Sequence, residues 1–401
     1  MTSPTTVAPS EWLNTPEVAI AEPVRPTLVS RTLVLVFVAS FGAMASFYLL
    51  LSVVPQYAAS VGAGGMGAGF STGALMLSTV IAELATPKLV TRFGHRNVLA
   101  AGLVLLGAPA LVLPSATSMS AILAICVVRG IGVAITVVIG GALVPSLVPS
   151  DRRGEGLGLY GVVVGIPAVI GLPLGVWLAG HAGYVPVFAA GAASALVALA
   201  AVPGLPGVSS TENEVLSLRT ALRTRSLVRP SIVFSATTMA AGVIVTFLPL
   251  AVHHESGNVA AVALLVQAGA STIARWWAGR YGDRHGSARL LVPAVLVAAS
   301  GMAVLALTES VLAVVAGVVL FGVGFGIAQN ASLTMMFERV DGSGYDTVSA
   351  LWNIAYDAGL GVGAAGFGVA AAQAGYPTAF VLVAAMMIVA VIPQRMSEKR
   401  T

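Results

Sequence analysis

The sequence predicts an all-α polytopic membrane protein with twelve transmembrane helices in two six-helix bundles. Composition places the chain in a bilayer, because 57% of its residues are hydrophobic and only 9% are charged, whereas soluble domains contain about 25% charged residues. A block of the sequence also repeats after 192 positions. The repeated residues are Gly94, Gly130, Gly132, Gly183 and Tyr184, which recur as Gly286, Gly322, Gly324, Gly375 and Tyr376. This constant offset indicates two halves that are built alike.

Stretches without charge give the number of spans, because a hydrocarbon core about 30 Å thick requires about 20 apolar helical residues. In the first half, three stretches each leave room for two helices. They run from Arg31 to Glu83, from Arg96 to Asp151, interrupted only by Arg129, and from Glu155 to Glu212. In the second half, short charged loops divide Arg229 to Arg395 into six apolar segments. The prediction is therefore twelve spans.

Changes in composition along the chain predict five regions. Residues 1–30 are rich in proline and lack an apolar core, which is typical of a disordered tail and not of a signal peptide. Residues 31–203 form the first bundle and residues 229–395 form the second. The polar residues 204–228 are long enough to link two bundles that move independently, and residues 396–401 form a second, short tail.

Positive charges orient the predicted helices. Of the 20 Lys and Arg residues, 18 lie in the tails and in alternate loops, and the intervening loops contain none. Because positively charged loops remain on the cytoplasmic side of a membrane, both termini are expected to be cytoplasmic. The net charge of +4 follows from this sorting and does not indicate nucleic-acid binding. The excess of Arg over Lys indicates GC-rich coding DNA, which suggests a bacterial source. For a bacterial protein of this composition, the expected location is the cytoplasmic membrane.

A charged motif follows the eighth predicted span. It reads Gly279-Arg280-Tyr281-Gly282-Asp283-Arg284-His285-Gly286, and Arg289 comes three residues later. Asp283 is suited to cap a helix, and Arg284 and Arg289 are suited to hold the cytoplasmic ends of neighbouring helices together. We expect this motif to form a cytoplasmic gate that closes in one orientation of the protein and breaks in the other.

The matching loop of the first half preserves only part of this motif. Its basic and glycine residues are Arg92, Gly94 and Arg96. Thr91 stands at the position of the aspartate and Pro87 at the position of the leading glycine, so the negative charge is missing there. Glu83, four residues before Pro87, is a candidate to supply it.

With these two loops, the chain resembles the major facilitator superfamily, whose signature after spans two and eight is a glycine, three residues, Asp-Arg, one residue and a glycine. Arg129, followed by Gly130 and Gly132, matches the fourth-span arginine motif that is associated with proton-coupled members. The fifth span is similar to the glycine and proline motif of the antiporter branch, and its residues are Gly161, Gly165, Pro167, Gly171, Pro173 and Gly175. The resemblance implies the major facilitator fold and a drug/proton antiporter that works in efflux.

Four charged residues lie within predicted spans, and they are Glu83, Arg129, Arg275 and Asp357. A charge at the centre of a bilayer costs about 3 kcal/mol or more, so each is a functional candidate. Asp357 lies about 15 Å inside the eleventh span, and its counterpart in the first half is Gly165, so the fold does not require this charge. A carboxyl group away from water can bind and release a proton near neutral pH, which makes Asp357 a candidate proton carrier. A structural pairing with an arginine is the alternative.

Glu83 and Arg129 are the other candidates for proton coupling. In the superfamily the second and eleventh spans face each other, which would place Glu83 and Asp357 on the same seam. A structural pairing of Glu83 with Arg92 is the alternative. Arg129 is suited to lower the proton affinity of a carboxylate or to bind an anionic substrate. For Arg275, the sequence favours a structural role in which the charge extends towards the membrane surface.

Other polar and aromatic residues within spans are candidates for the wall of a substrate cavity, because polar groups that face lipid are costly. They are Tyr48, Gln56, Gln267, Asn330, Trp352, Asn353 and Tyr356. Asn353 and Asp357 lie four residues apart and therefore on one face of a helix. Hydrogen bonding between helices is the alternative role for each of these residues.

Together these features predict a proton-coupled transporter that exports a small amphipathic molecule by alternating access, as a monomer in the lipid bilayer. No catalytic, metal-ligating or phosphate-binding pattern occurs in the sequence, so neither an enzyme nor a cofactor is expected. Two alternatives remain open, because a fold does not settle direction or cargo. One is a symporter or uniporter that imports a sugar, organic acid or amino acid. The other is a membrane scaffold or sensor that transports nothing.

Overall fold

A computed structural model of the chain describes residues 30–148, 153–205, 223–252, 258–340 and 345–398. Regular structure in these ranges is helical throughout, since a helix in lipid satisfies its own backbone hydrogen bonds. Most of the two predicted tails and of the predicted linker lies outside these ranges. The α-helices are α1 (Arg31–Leu51), α2 (Val53–Ala58), α3 (Gly64–Gly107), α4 (Met119–Leu147), α5 (Arg153–Ala182), α6 (Tyr184–Ala198), α7 (Arg225–Ala251), α8 (Asn258–His285), α9 (Ala288–Val304), α10 (Val311–Phe337) and α11 (Tyr345–Glu398).

Eight stretches of helix in the described part of the chain are long and apolar enough to cross a membrane. One of them, Arg31–Ser115, contains α1 to α3, and α9 is a further apolar helix of 17 residues. Apolar side chains also cover outward faces, where Leu77 and Ile81 are 63% and 60% exposed. A surface of this kind suits lipid and not water.

Glycines in the left-handed region interrupt the two longest helices. The backbone leaves the helical region at Gly94 (φ 77°, ψ 154°) within α3 and at Gly375 (φ 77°, ψ 163°) within α11. The φ angles of Gly286 (85°) and Gly183 (80°) are positive as well. These are two pairs of equivalent residues, because each pair is separated by 192 positions. Glycine alone adopts such angles without strain, so the repeat preserves its turns.

Close contacts between helices repeat with the same offset. A Cβ atom on Gly132 of α4 would collide with the backbone of Gly102 and Leu106 in α3. In the second half, a Cβ atom on Gly324 of α10 would collide with the backbone of Ala294 and Ala298 in α9. All three positions in the second set lie 192 residues after those in the first. The repeat is therefore one of packing as well as of sequence, and it rests on the small residues that let membrane helices approach.

The turns divide the molecule into two ends. We call the end with the turns at Gly94 and Gly286 the basic end, because Arg92, Arg96, Arg284 and Arg289 lie beside those turns. The other end, called the opposite end, contains the turns at Gly183 and Gly375. The Tyr57 and Tyr184 rings meet there, with centroids 5.3 Å apart, and Gly65 lies against Tyr376.

Two seams join the N-terminal and C-terminal halves, one between α3 and α11 and one between α5 and α8. Along the first seam, small residues of the two helices lie face to face, and the contacts are Gly69 with Ala364, Gly73 with Ala365, and Gly361 with Met76. α7 also contacts α3, since the Thr72 and Thr246 hydroxyl groups are hydrogen-bonded at 2.9 Å and both residues are buried. The halves are therefore tightly joined between the centre and the opposite end.

Candidate functional site

Two carboxyl groups meet across the first seam. Glu83 of α3 and Asp357 of α11 are hydrogen-bonded through their side chains. Glu83 is buried, at 8% exposure, and its Oε2 atom has no hydrogen-bond partner. Two carboxylate oxygens cannot bond to each other without a hydrogen, so at least one group of the pair holds a proton. We call these two residues the acid pair.

The acid pair continues the glycine-lined contact of α3 with α11 towards the basic end. The close approaches of Gly73 and Met76 to α11 lie on the same helix, within three turns before Glu83. Because α11 runs in the other direction, Asp357 precedes Gly361 by one turn and arrives beside α3 at a similar depth. The small residues on both helices hold the backbones close enough for two short acidic side chains to touch.

Two tyrosines lie near both Asp357 and an arginine. Tyr48 of α1 and Tyr356 of α11 lie within the electrostatic range of both Asp357 and Arg275. Arg275 belongs to α8 and occupies the position equivalent to Glu83, 192 residues later. Tyr48, Tyr356 and Asp357 are half-buried, so this region is not a sealed core. A charge of each sign therefore faces the same pair of phenol groups.

Aromatic rings form one wall of this region. Trp352 stacks on Phe234 of α7, with ring centroids 4.5 Å apart and planes inclined by 14°. The centroid of the Tyr356 ring lies 5.9 Å from that of Trp352 and 6.4 Å from that of Phe325 of α10. The Trp352 indole also donates a hydrogen bond of 3.1 Å to Ser332 Oγ, which fixes its orientation. We call Tyr48, Arg275, Trp352, Tyr356 and the acid pair the central site.

Arg129 lies away from the acid pair, within the N-terminal half. Its side chain is 1% exposed. Its Nε atom donates to the Leu106 carbonyl at 3.2 Å, and Nη2 donates to the Ser46 carbonyl at 3.3 Å. The cation thus joins α4 to α1 and α3 through main-chain acceptors. In the second half the equivalent residue is Phe321, which is fully buried.

The remaining predicted cavity residues are spread along the molecule. Gln56 lines a cavity of about 130 Å³ at the opposite end, together with Tyr184 and residues of α5, α7 and α8. That cavity lies between the halves but is smaller than the roughly 300–1,000 Å³ of a typical ligand pocket. Gln267 is buried, and its backbone contacts Gly322. Asn353 is half-buried next to Trp352 on α11.

Asn330 lies near the basic end, beside Gly279 of the predicted gate. Its Nδ2 atom lies 3.4 Å from the place that a Cβ atom on Gly279 would occupy. Its Oδ1 atom is buried and has no hydrogen-bond partner. The sequence placed Asn330 in the cavity wall, and the structure places it next to the first residue of the predicted gate.

The arginines of the predicted gate point outward. Arg92, Arg96, Arg284 and Arg289 are exposed, and Arg92 lies over the Phe93 ring at 5.2 Å. The side chain of Asp283 lies outside the described part of the structure. The glycines of the gate serve the backbone, because Gly94 and Gly286 make the turns.

The predicted glycine and proline motif of α5 has two different environments. Gly171 and Gly175 pack against Tyr48 and Leu49 of α1, within one half of the chain. Gly161 and Gly165, nearer the basic end, have open space where a Cβ atom would lie. The two prolines of the motif, Pro167 and Pro173, occur in the middle of α5, and both are buried.

Three parts of this arrangement were not identified from the sequence. They are the contact of Thr72 with Thr246, the stacking of Trp352 on Phe234 and the position of Arg275 within electrostatic range of Tyr48 and Tyr356. Only the last had a signal in the sequence, since the repeat aligns Arg275 with Glu83.

Comparisons with protein families and with solved structures agree with each other. A family model described as Major Facilitator Superfamily matches residues 36–364. Among solved structures, a mutant of the nucleoside transporter NupG is similar, with a TM-score of 0.73 and 13% identity over 90% of this chain and 98% of that one. A partially occluded inward-open conformation of the xylose transporter XylE from E. coli has a TM-score of 0.72 and 12% identity, covering 90% and 97%. No curated protein sequence matches the chain. At these identities the structural likeness shows the fold alone.

Proposed function

The chain belongs to the major facilitator superfamily, and from this membership we propose that it is a proton-coupled secondary transporter that exports a small amphipathic molecule. The transported molecule binds at the central site, which opens alternately to the two sides of the membrane. The observation that carries the proposal is the acid pair, Glu83 with Asp357, which joins the two halves.

The proposed topology has twelve spans in two bundles, residues 31–203 and 229–395, with a linker at 204–228. The interruptions at Gly94 and Gly375 divide α3 and α11 into two spans each. α1 and α2 together form one span, and each helix from α4 to α10 forms another. The basic end, with both termini, faces the cytoplasm of a bacterial cell.

Protonation of the acid pair controls the first seam. One shared proton allows a hydrogen bond between the halves, and its loss leaves two carboxylates in contact. Two like charges about 4 Å apart repel by about 4 kcal/mol at an effective dielectric constant of about 20. That energy changes an equilibrium constant by about three orders of magnitude. Release of the proton is therefore sufficient to drive α3 and α11 apart, which couples the proton to the exposure of the site.

Arg129 supports the coupling from a distance. Its buried charge lies in the same half as Glu83 and is held by the main chain of two neighbouring helices. A fixed positive charge favours the ionised form of a carboxyl group in the low-dielectric interior of a bundle. Arg129 therefore helps the acid pair to release its proton.

The experiment measures proton movement in proteoliposomes with a pH-sensitive dye, while lipophilic cations and other amphipathic compounds are added. Wild-type protein is compared with Asp357→Asn, Glu83→Gln and the control Glu309→Gln, which removes an exposed acid near the opposite end. We expect flux triggered by a transported compound in wild type and in the control, and no flux in the two acid-pair variants. Flux that persists in both variants would remove the acid pair from the mechanism. Silence of the wild-type protein towards every compound would favour a scaffold or sensor.

Import of a polar nutrient is a second candidate function. Nucleoside and xylose transporters have a similar fold, and Tyr48, Tyr356 and Asn353 offer groups that can bind hydroxyls. The same proteoliposomes distinguish the two directions. Uptake of labelled nucleosides or pentoses that accelerates with an inward proton gradient indicates symport, whereas expulsion of an amphipathic compound by that gradient indicates export.

A further inference from the structure

The central site has charges of both signs, and their arrangement follows from the repeat. Glu83 and Arg275 are equivalent residues, and they lie on the two equivalent seams, α3 with α11 and α5 with α8. Glu83 faces Asp357, whereas the residue equivalent to Asp357 is Gly165. Gly165 provides no partner and has open space beside it. One seam thus carries two acids, and the other carries a base.

The groups that face this region from each helix set its total charge. The acid pair holds at least one proton and so carries no more than one negative charge. Arg275 contributes one positive charge, because a guanidinium group remains protonated in proteins. Tyr48 on α1 and Tyr356 on α11 are neutral phenols within range of both charges. With one proton bound, the central site is therefore neutral overall but strongly dipolar.

We infer that the central site binds a zwitterionic molecule with a flat aromatic group, and this inference rests on the proposed function. The ammonium group of the substrate binds between Glu83 and Asp357 in place of the shared proton. Its carboxylate binds Arg275, whose planar guanidinium matches two carboxylate oxygens. Its ring lies against Trp352, which Phe234 and Ser332 hold in place.

This arrangement makes the exchange of proton and substrate a simple competition. When the ammonium group arrives, the acid pair releases one proton. The ammonium group then lies between the two carboxylates as the proton did, so this side keeps one net negative charge, and the substrate carboxylate neutralises Arg275. A substrate with a cation but no anion would leave Arg275, which is exposed in the structure, without an anionic partner. A substrate with an anion only would leave the proton on the acid pair. Only the dipolar substrate gives every charged group of the site a partner of opposite sign.

The test measures binding to the purified full-length protein in detergent, with proton release followed by a pH-sensitive dye in weak buffer. The probes are matched sets built on one phenyl or indole ring. Each set contains the amino acid, the amine that lacks its carboxylate and the acid that lacks its amine, with spacers of increasing length between the charges. We expect at least one amino acid to bind more than tenfold better than both of its partners and to release about one proton per molecule bound.

Variants assign the two charges. Arg275→Gln should lower the affinity for the amino acid about tenfold or more and leave the affinity for the amine unchanged, and Arg275→Lys should restore part of the loss. The matched control is Arg280→Gln on the same helix, because Arg280 stacks on Trp276 at 3.9 Å and should not affect binding. Glu83→Gln should abolish proton release.

The outcomes separate this inference from the proposed function. If amines bind as well as amino acids and release a proton, proton-coupled export stands and the zwitterionic site is wrong. The inference is also wrong if no amino acid of any spacer length binds better than its partners. If amino acids bind in a manner that requires Arg275 but release no proton, the exchange fails, and with it the proton coupling on which the inference rests.

Discussion

The hydroxyl of Thr72 lies 2.9 Å from the hydroxyl of Thr246, and this hydrogen bond joins α3 of the N-terminal half to α7 of the C-terminal half. Both side chains are buried, at 2% and 0% exposure, so no surface water replaces the bond while the halves remain in contact. The bond belongs to the set of contacts that closes the molecule between its centre and the opposite end.

Removal of this bond should favour opening at the opposite end. A buried neutral hydrogen bond contributes about 1 kcal/mol, so Thr72→Val with Thr246→Val should shift the equilibrium between the closed and open states by about fivefold.

The measurement is the reaction of a Gln56→Cys variant with a membrane-impermeant thiol reagent, in protein that carries Cys126→Ala. Gln56 lines the small cavity at that end, so its replacement reports access. The control is Thr237→Val, because the Thr237 hydroxyl donates to the Phe234 carbonyl of its own helix. Equal reactivity of all variants would show that the bond does not hold this end closed.

Arg129 provides a test of charge against packing. Methionine has a similar length. Its apolar side chain is not costly to bury, which offsets the loss of the two hydrogen bonds from Arg129 to main-chain carbonyls. Phe321 at the equivalent position shows that the fold accepts an apolar residue there. We therefore expect the free energy of unfolding of Arg129→Met to lie within about 1 kcal/mol of the wild-type value. In proteoliposomes, however, the variant should move fewer protons per substrate. Normal coupling with reduced stability would assign Arg129 to helix attachment alone.

The repeated glycine contacts should be equally sensitive in both halves. Gly132→Ala and Gly324→Ala each place a methyl group against a neighbouring backbone, and overpacking costs about 1–3 kcal/mol. Gly141→Ala is the control, because open space surrounds Gly141. Unfolding can be followed with a thiol-reactive dye, since Cys126 is 1% exposed and reacts only when the helices separate. A cost in one half and none in the other would contradict the equivalence of the two packings.

The sequence predicted the helical class and the repeat, because each depends on local composition or on a fixed offset. The family resemblance, and not the residues alone, suggested that Glu83 and Asp357 share a seam, and it left open whether they touch. An isolated charge in an apolar segment has few roles, so these two acids could be found without a structure. Depth was harder to predict. Gln56 and Asn330 are polar residues in apolar segments, like Tyr48, yet they lie near opposite ends of the molecule.

The sequence also did not predict how each helix is rotated about its axis, and therefore which side chains face one another. Arg275 was expected to extend towards the membrane surface, and its side chain is exposed, but the sequence did not show that it also lies within electrostatic range of Tyr48 and Tyr356. Buried threonines such as Thr72 bond to their own helix in most cases, so nothing local marks the one that reaches across to another. Such contacts depend on which faces of distant helices meet.

The equivalent packing of Gly132 on α3 and of Gly324 on α9 has a consequence for the history and assembly of the chain. Each contact is made wholly within its own half, so each half contains the information for its own internal arrangement. Such a molecule is what a gene duplication followed by fusion would leave. Covalent continuity then matters less than complementary surfaces, and two polypeptides separated within residues 204–228 and produced together should recombine into an active protein.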